Sequence, residues 1–149
     1  MKKRYLVTGG SGFIGSALVK KLLNEGHSVR VFDNNSRGNL RRLESVIDQI
    51  EFVEGDIRDL AQVEDACKDI DAVCHLAFVN GTKFFYELPE LVLEVGVKGM
   101  MNILDACIAH SIEDLILASS SEVYQSPDEV PTSENVPLIV PDLQNPRYS

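Results

Sequence analysis

An α/β fold is predicted for the 149-residue chain, with parallel strands joined by helices that cover both faces of one sheet. Three observations predict it. Short apolar runs alternate with stretches of helical period along most of the sequence. The run Ala72-Val73-Cys74-His75-Leu76-Ala77 is apolar almost throughout, as a strand buried on both faces requires. The first strand also passes into the first helix through Gly9-Gly10-Ser11-Gly12-Phe13-Ile14-Gly15, a turn built almost wholly from small residues.

Composition narrows the partners. The length suits one domain with a real hydrophobic core, and 44% hydrophobic with 25% charged residues is ordinary for a globular protein. A net charge of −9 offers no basic face, so neither nucleic acid nor an anionic membrane is expected as a partner. The apolar run after Lys2-Lys3-Arg4 breaks at Thr8-Gly9-Gly10, so no targeting segment is read, and no run is long enough to span a bilayer. Cys67, Cys74 and Cys107 are an odd number at wide spacing inside apolar segments. They read as buried free thiols in a reducing cytosol, so a cytoplasmic protein is expected. The histidines do not cluster at a ligand spacing, and no metal site is expected.

The first strand is Tyr5-Leu6-Val7. After it, Gly10-Ser11-Gly12-Phe13-Ile14-Gly15 fits G-x-G-x-x-G, and counting from Gly9 gives G-x-x-G-x-x-G. Such spacing supplies a tight turn, close approach of backbone to a pyrophosphate, and close contact between helix and strand. The helix start adds unpaired N–H groups and the positive end of its dipole. A dinucleotide is the predicted ligand. The helix runs from Phe13 to Asn24 on an apolar face of Phe13, Ile14, Ala17, Leu18 and Leu22, and Gly26 is its left-handed stop. The second strand, Ser28 to Phe32, ends on Asp33. A carboxylate there accepts hydrogen bonds from both ribose hydroxyls and repels a 2′-phosphate, which predicts NAD rather than NADP. Arg37, nearby, is the side chain that would accommodate that phosphate.

Asn34 to Asn39 reads as a polar loop and Leu40 to Ile47 as a short helix. The third strand, Ile50 to Glu54, runs into Gly55-Asp56 and so places an acid where it would meet an adenine amino group. Asp59 is the predicted cap of a helix from Leu60 to Cys67. In the apolar strand that follows, His75 reads as a packed or hydrogen-bonded histidine rather than a base. Val79 to Pro89 reads as a polar and aromatic loop at the sheet's carboxyl edge. Pro89 opens a helix to about His110 with two apolar stripes, Val92, Val95, Gly99, Ile103, Ala106 and Leu93, Val97, Met101, Leu104, Ile108. Burial on two sides is predicted for it. Gly96 and Gly99 inside this helix predict close approach of another backbone or a ligand. The fifth strand, Asp114 to Ala118, delivers Ser119-Ser120-Ser121-Glu122 to the glycine turn's edge. Beyond Tyr124, Pro127, Pro131, Pro137, Pro141 and Pro146 leave little period, which reads as a functional loop or an incomplete element.

Taken together, these residues resemble the extended short-chain dehydrogenase/reductase family, within it the nucleotide-sugar epimerases, dehydratases and decarboxylases. The matching stretches are Thr8 to Gly15, Asp33-Asn34, Gly55-Asp56-Ile57, His75-Leu76-Ala77 and Ser119 to Tyr124, in the family's order and spacing. The resemblance implies a Rossmann-type doubly wound parallel sheet, truncated after about the fifth strand, with NAD across its carboxyl edge. Gly9, Gly12, Phe13, Ile14 and Gly15 would meet the pyrophosphate, Asp33 the adenosine ribose, and Asp56 and Ile57 the adenine. Leu76 and Ala77 would line the middle of the cofactor, and Asn34, Ala118 and Ser119 complete the expected cofactor set. Ser120 aligns with the family's catalytic serine or threonine, which donates a hydrogen bond to the reacting sugar oxygen. Glu122 keeps an acid seen in dehydratases and some decarboxylases, and is the second expected catalytic residue.

The sequence departs from the family pattern at Gly96 (usually asparagine), Met100 (threonine), Gln125 (glycine) and Ser121 (aspartic acid in dehydratases). The family's Tyr-x-x-x-Lys, whose lysine lowers the tyrosine pKa, has no match, although Pro146-Arg147-Tyr148-Ser149 looks like its lead-in. The resemblance therefore implies that residues 1–149 are the NAD-binding part of a longer nucleotide-sugar epimerase, inactive alone, that works by transient oxidation of the sugar to a ketone. A nucleotide-sugar dehydratase or decarboxylase using Glu122 is one alternative; a non-catalytic NAD-binding module is another. A missing helix would leave the 89–110 helix uncovered, and a homodimer through that flank is expected.

Overall fold

The protein's structure, a computed structural model, describes residues 1–124, 127, 129–139 and 144. Gln125, Pro141, Pro146 and Tyr148 lie outside the described residues. In order, the regular elements are Arg4–Thr8 (β1), Phe13–Asn24 (α1), Ser28–Asp33 (β2), Ile50–Glu54 (β3), Leu60–Ala66 (α2), Ala72–His75 (β4), Thr82–Glu87 (α3), Pro89–Leu93 (α4), Gly99–Ala109 (α5) and Asp114–Leu117 (β5). Leu40–Gln49 and Ser121–Tyr124 are 3-10 segments, and Glu94–Lys98 is a π turn joining α4 to α5.

All five strands are parallel, in the order β3-β2-β1-β4-β5. Successive side chains on a strand point to opposite faces, and that alternation divides the core in two. Leu6, Phe32 and Val73 face α2 and α5, packing with Val63, Ile103 and Ala106. Val7, Val31 and Cys74 face α1 and the first 3-10 segment, packing with Val19, Leu22 and Leu43. Chain direction reverses across β1: the path goes outward to β2 and β3, then crosses back to β4. That switch opens a crevice at the carboxyl ends of β1 and β4, where ligands of doubly wound sheets bind.

Local signals placed most boundaries. Gly26 stops α1 at φ +85°, with its N–H donating to the Leu23 carbonyl and that of His27 to Leu22. The Asp59 side chain accepts from the Gln62 amide at the start of α2. Arg30 is buried on β2, where Nη1 donates to the carbonyls of Ala66 and Lys68 at the end of α2. A cation there offsets the negative end of the helix dipole. The three cysteines are buried free thiols, as expected.

Several expectations are corrected. The buried face of α1 is Gly15, Ser16, Val19 and Leu22, whereas Phe13 and Ile14 are 84% and 68% exposed and Ala17 is exposed. Its small residues let the first turn sit against the glycine turn, which rotates the two large ones outward. Residues 82–87 of the supposed loop form a helix, and the 40–47 helix is a 3-10 segment reaching Gln49. The 89–110 helix widens through the π turn, and only its first stripe is buried. Leu93, Val97, Met101, Leu104 and Ile108 are 37% to 76% exposed. Gly96 and Gly99 are approached by side chains rather than by another backbone: a Cβ at Gly96 would lie 2.9 Å from Phe78 Cε2, and one at Gly99 2.4 Å from Ile57 Cδ1.

Candidate functional site

The glycine turn wedges between the ends of β1 and β4. Gly9 has φ +69°, its N–H donates to the Phe32 carbonyl at 2.9 Å, and Gly12 N–H donates back to the Gly9 carbonyl at 3.0 Å. A Cβ at Gly9 would lie 2.8 Å from Ala77 N, and one at Gly15 only 2.2 Å from the Gly9 oxygen. These contacts bring the start of α1 tight against the turn. No side chain caps that helix, and its first paired amide is Ser16, bonded to the Gly12 carbonyl. The amides of Phe13, Ile14 and Gly15 precede it, at the positive end of the dipole.

Asp33, at the end of β2, is 9% exposed and its carboxylate is fixed on three sides. Oδ2 accepts from Ser11 N at 3.0 Å and Ser11 Oγ at 2.7 Å, while Oδ1 accepts from Asn35 N at 2.9 Å. Ser11 thus ties the glycine turn to the acid. Arg37, also in the crevice wall, has its guanidinium 4.9 Å from the centre of the Phe84 ring in α3, a distance at which cation and ring attract.

Asp56 stands one residue past Gly55, whose Cβ would overlap the Phe32 ring at 2.4 Å. The Arg58 guanidinium bonded to it holds the Asp56 carboxyl below the usual carboxylate range. Ile57 follows, buried against α5.

Between β1 and β4 the Thr8 hydroxyl organises a buried network. It accepts from the amides of Leu76 and Ala77, each at 3.2 Å, and lies 2.6 Å from His75 Nδ1. A hydroxyl has one hydrogen and two lone pairs. With both lone pairs taken, its hydrogen goes to Nδ1, and His75 carries its proton on Nε2. Burial pushes the His75 pKa down to about 4, so the ring is neutral at pH 7. The reading of His75 as a hydrogen-bonded core residue agrees with this geometry.

One crevice is lined by Gly9, Gly12, Asp33, Asn34, Asp56, Ile57, Leu76 and Ala77 from the expected set. Phe13, Ile14 and Gly15, which open α1 just after Gly12, are not among its lining residues. Ala118 continues β5, donating its N–H to the His75 carbonyl at 3.1 Å. Ser119, Ser120 and Glu122 follow on the exposed edge, with the Glu122 N–H donating to Ser120 Oγ at 3.2 Å. They share the sheet's carboxyl edge with the crevice but are not among its lining residues. The wall also includes Ser36, Arg37, Gly38, Phe78, Val79 and Val95. Of these, Gly38 and Phe78 left no periodic signal. Thr8 had one: a polar residue at the end of an otherwise apolar strand.

A glycine turn, an uncapped helix start and an acid at the second strand's end, all at the switch point of a parallel sheet, define a nucleotide-binding class of α/β protein. Comparison with known proteins narrows the class. Residues 5–146 match the NAD dependent epimerase/dehydratase family. A UDP-N-acetyl-alpha-D-glucosaminuronate decarboxylase of Bacillus cytotoxicus is 37% identical over 124 residues, covering 83% of this chain and 38% of its own length. A UDP-glucose 4-epimerase of Corynebacterium glutamicum is 33% identical over 134 residues, covering 90% of this chain and 40% of its own. The crystal structure of Thermus thermophilus UDP-glucose 4-epimerase in complex with NAD superposes with a TM-score of 0.82 at 36% identity, covering 91% of this chain and 44% of the other. The chain belongs to the NAD-dependent epimerase/dehydratase family. It spans about two fifths of the length of these relatives, 38% to 44%. Among the described residues, no helix is long and apolar enough to cross a membrane.

Proposed function

We propose that the chain binds NAD in the crevice and is the cofactor-binding portion of a nucleotide-sugar epimerase. The observation that carries this is the bond between glycine turn and acid: Ser11 donates twice to Asp33, so phosphate-binding amides and a ribose-binding carboxylate share one opening. The residues fit the cofactor, since Gly9 and Gly12 line the crevice with Asp33, and the uncapped start of α1 packs close beside them. The amides of Phe13, Ile14 and Gly15 meet the pyrophosphate, with Gly12 beneath it. Asp33, with Asn34 beside it, takes the adenosine ribose; Asp56 and Ile57 take the adenine; Leu76, Ala77, Ala118 and Ser119 flank the path toward the nicotinamide. When bound, NAD supplies a hydride acceptor. Ser120 would donate a hydrogen bond to the reacting sugar oxygen, and a reversible hydride acceptor beside it would suit inversion of a sugar carbon through a transient ketone. With no Tyr-x-x-x-Lys among the 149 residues to accept the hydroxyl proton, the chain does not turn over alone. The two UDP-glucose epimerase relatives support a nucleotide sugar as the substrate of the whole enzyme.

Calorimetry tests the cofactor reading. NAD should bind at least about tenfold more tightly than NADP, because a buried carboxylate repels a 2′-phosphate. Equal or tighter NADP binding would refute the role of Asp33.

A decarboxylase or dehydratase is the second reading, favoured by Glu122 beside Ser120 and by the decarboxylase relative. Product analysis with several UDP-sugars, in the longer enzyme and its Glu122→Gln form, separates the two. The exposed stripe Leu93, Val97, Met101, Leu104 and Ile108 supports pairing of two copies through the 89–110 helix. Sedimentation should show mass rising with concentration, and a strict monomer over a broad range would refute the pairing.

A further inference from the structure

The segment Asp56-Ile57-Arg58 is held from behind by the long helix at three points. Arg58 Nη1 donates to Glu94 Oε2 on the π turn at 2.9 Å. Asn102 Nδ2, buried on α5, donates to the Ile57 carbonyl at 2.8 Å. Gly99 leaves the space that the Ile57 side chain occupies. On its other side Arg58 grips Asp56 with a fork, Nε to Oδ1 at 3.0 Å and Nη2 to Oδ2 at 2.7 Å. Its own backbone N–H donates to Oδ1 at 2.9 Å. A planar fork fixes both the distance and the plane of a carboxylate, which a lysine does not.

A carboxylate offers about four lone-pair directions, and Arg58 occupies three. The fourth is held weakly by the Asn34 amide, which donates to Oδ2 at 3.4 Å. An incoming N–H donor at normal hydrogen-bond length can displace Asn34 from that direction on Oδ2, at an orientation set before any ligand arrives. An acid on an exposed loop would lose its rotamer freedom on binding; this one has lost it already.

We propose that Arg58 is the positioning residue for adenine recognition: braced on Glu94, it holds Asp56 so that its remaining lone pair meets the exocyclic amino group. The proposal rests on the dinucleotide reading above. It is tested by calorimetry with NAD and with the analogue carrying hypoxanthine, where a carbonyl replaces the amino group and Asp56 gains nothing. The unmodified chain should prefer NAD by roughly tenfold or more. Arg58→Gln should lose most of that preference, with NAD binding weakened roughly tenfold and analogue binding changed by less than about twofold. Glu94→Gln should shift the ratio in the same direction by roughly threefold. If Arg58→Gln does not fold, Arg58→Lys should lose the preference in its place, because it keeps the charge without the fork. Equal weakening of both dinucleotides would mark a structural role and overturn the proposal, as would an unchanged ratio. Failure of the unmodified chain to bind either one would defeat the dinucleotide reading itself, and this inference with it.

Discussion

Gly15→Ala is expected to destabilise the chain by about 3 kcal/mol or more and to abolish NAD binding. The added Cβ would stand 2.2 Å from the Gly9 oxygen and 2.7 Å from Gly10 Cα. Both are backbone atoms, so no rotamer change relieves the overlap. The start of α1 must lift off the turn, carrying the Phe13 and Ile14 amides away from the phosphate position. Gly9 cannot give way in turn, because it already lies against Ala77 N. Gly26→Ala is the control. Its φ of +85° imposes a left-handed strain of about 1–2 kcal/mol, yet nothing lies within 4 Å of the new methyl group. Urea unfolding of both variants, with NAD titration of each, should show a large stability loss with no binding for Gly15→Ala. Gly26→Ala should show a small loss with binding intact. Normal NAD affinity in Gly15→Ala would show that the turn does not pack as described.

The contrast between these glycines shows what a sequence discloses and what it withholds. Spacing revealed the turn because strand, tight bend and helix start occupy adjacent residues, and each constrains its neighbours. The parallel order was equally accessible, since a near-continuous apolar run such as 72–77 has no exposed face to accommodate. Asp33, Asp56 and the edge serines could be placed on one sheet edge because they stand at strand ends, and Asp33 and Asp56 line the crevice there. The outward rotation of Phe13 and Ile14 was not accessible: it follows from the close fit of Gly15 and Ser16 on the turn, a three-dimensional contact. Leu93, Val97 and Met101 have the period of a buried stripe, but periodicity names an apolar face without saying what covers it. Ser11 escaped notice for a different reason. A small polar residue inside a glycine motif looks like a spacer, and only the placement of Asp33 shows that its hydroxyl and amide converge on one carboxylate oxygen.

Acidification should expose the Thr8–His75 network. In the unfolded chain a histidine takes up its proton near pH 6.5, but burial keeps the His75 ring neutral in the native state down to about pH 4. The unfolded state therefore binds more protons throughout that window. Stability is complete above about pH 6.5 and is lost as pH falls toward 4, by about 3 kcal/mol in total. Protonation at Nδ1 would also confront the Thr8 hydroxyl with a second donor while both its lone pairs serve Leu76 and Ala77. The carboxylates act lower on the scale. Arg30 holds Glu51 below its usual range and Arg58 does so for Asp56, so their contributions fade only below about pH 4.5. His75→Asn isolates the histidine effect, because an asparagine carbonyl can accept the Thr8 hydrogen without a titratable ring. Urea unfolding from pH 7 to 4.5 should show the unmodified chain losing stability steadily and the variant staying nearly flat. Parallel curves for the two would place the pH dependence elsewhere and refute a neutral His75 joined to Thr8.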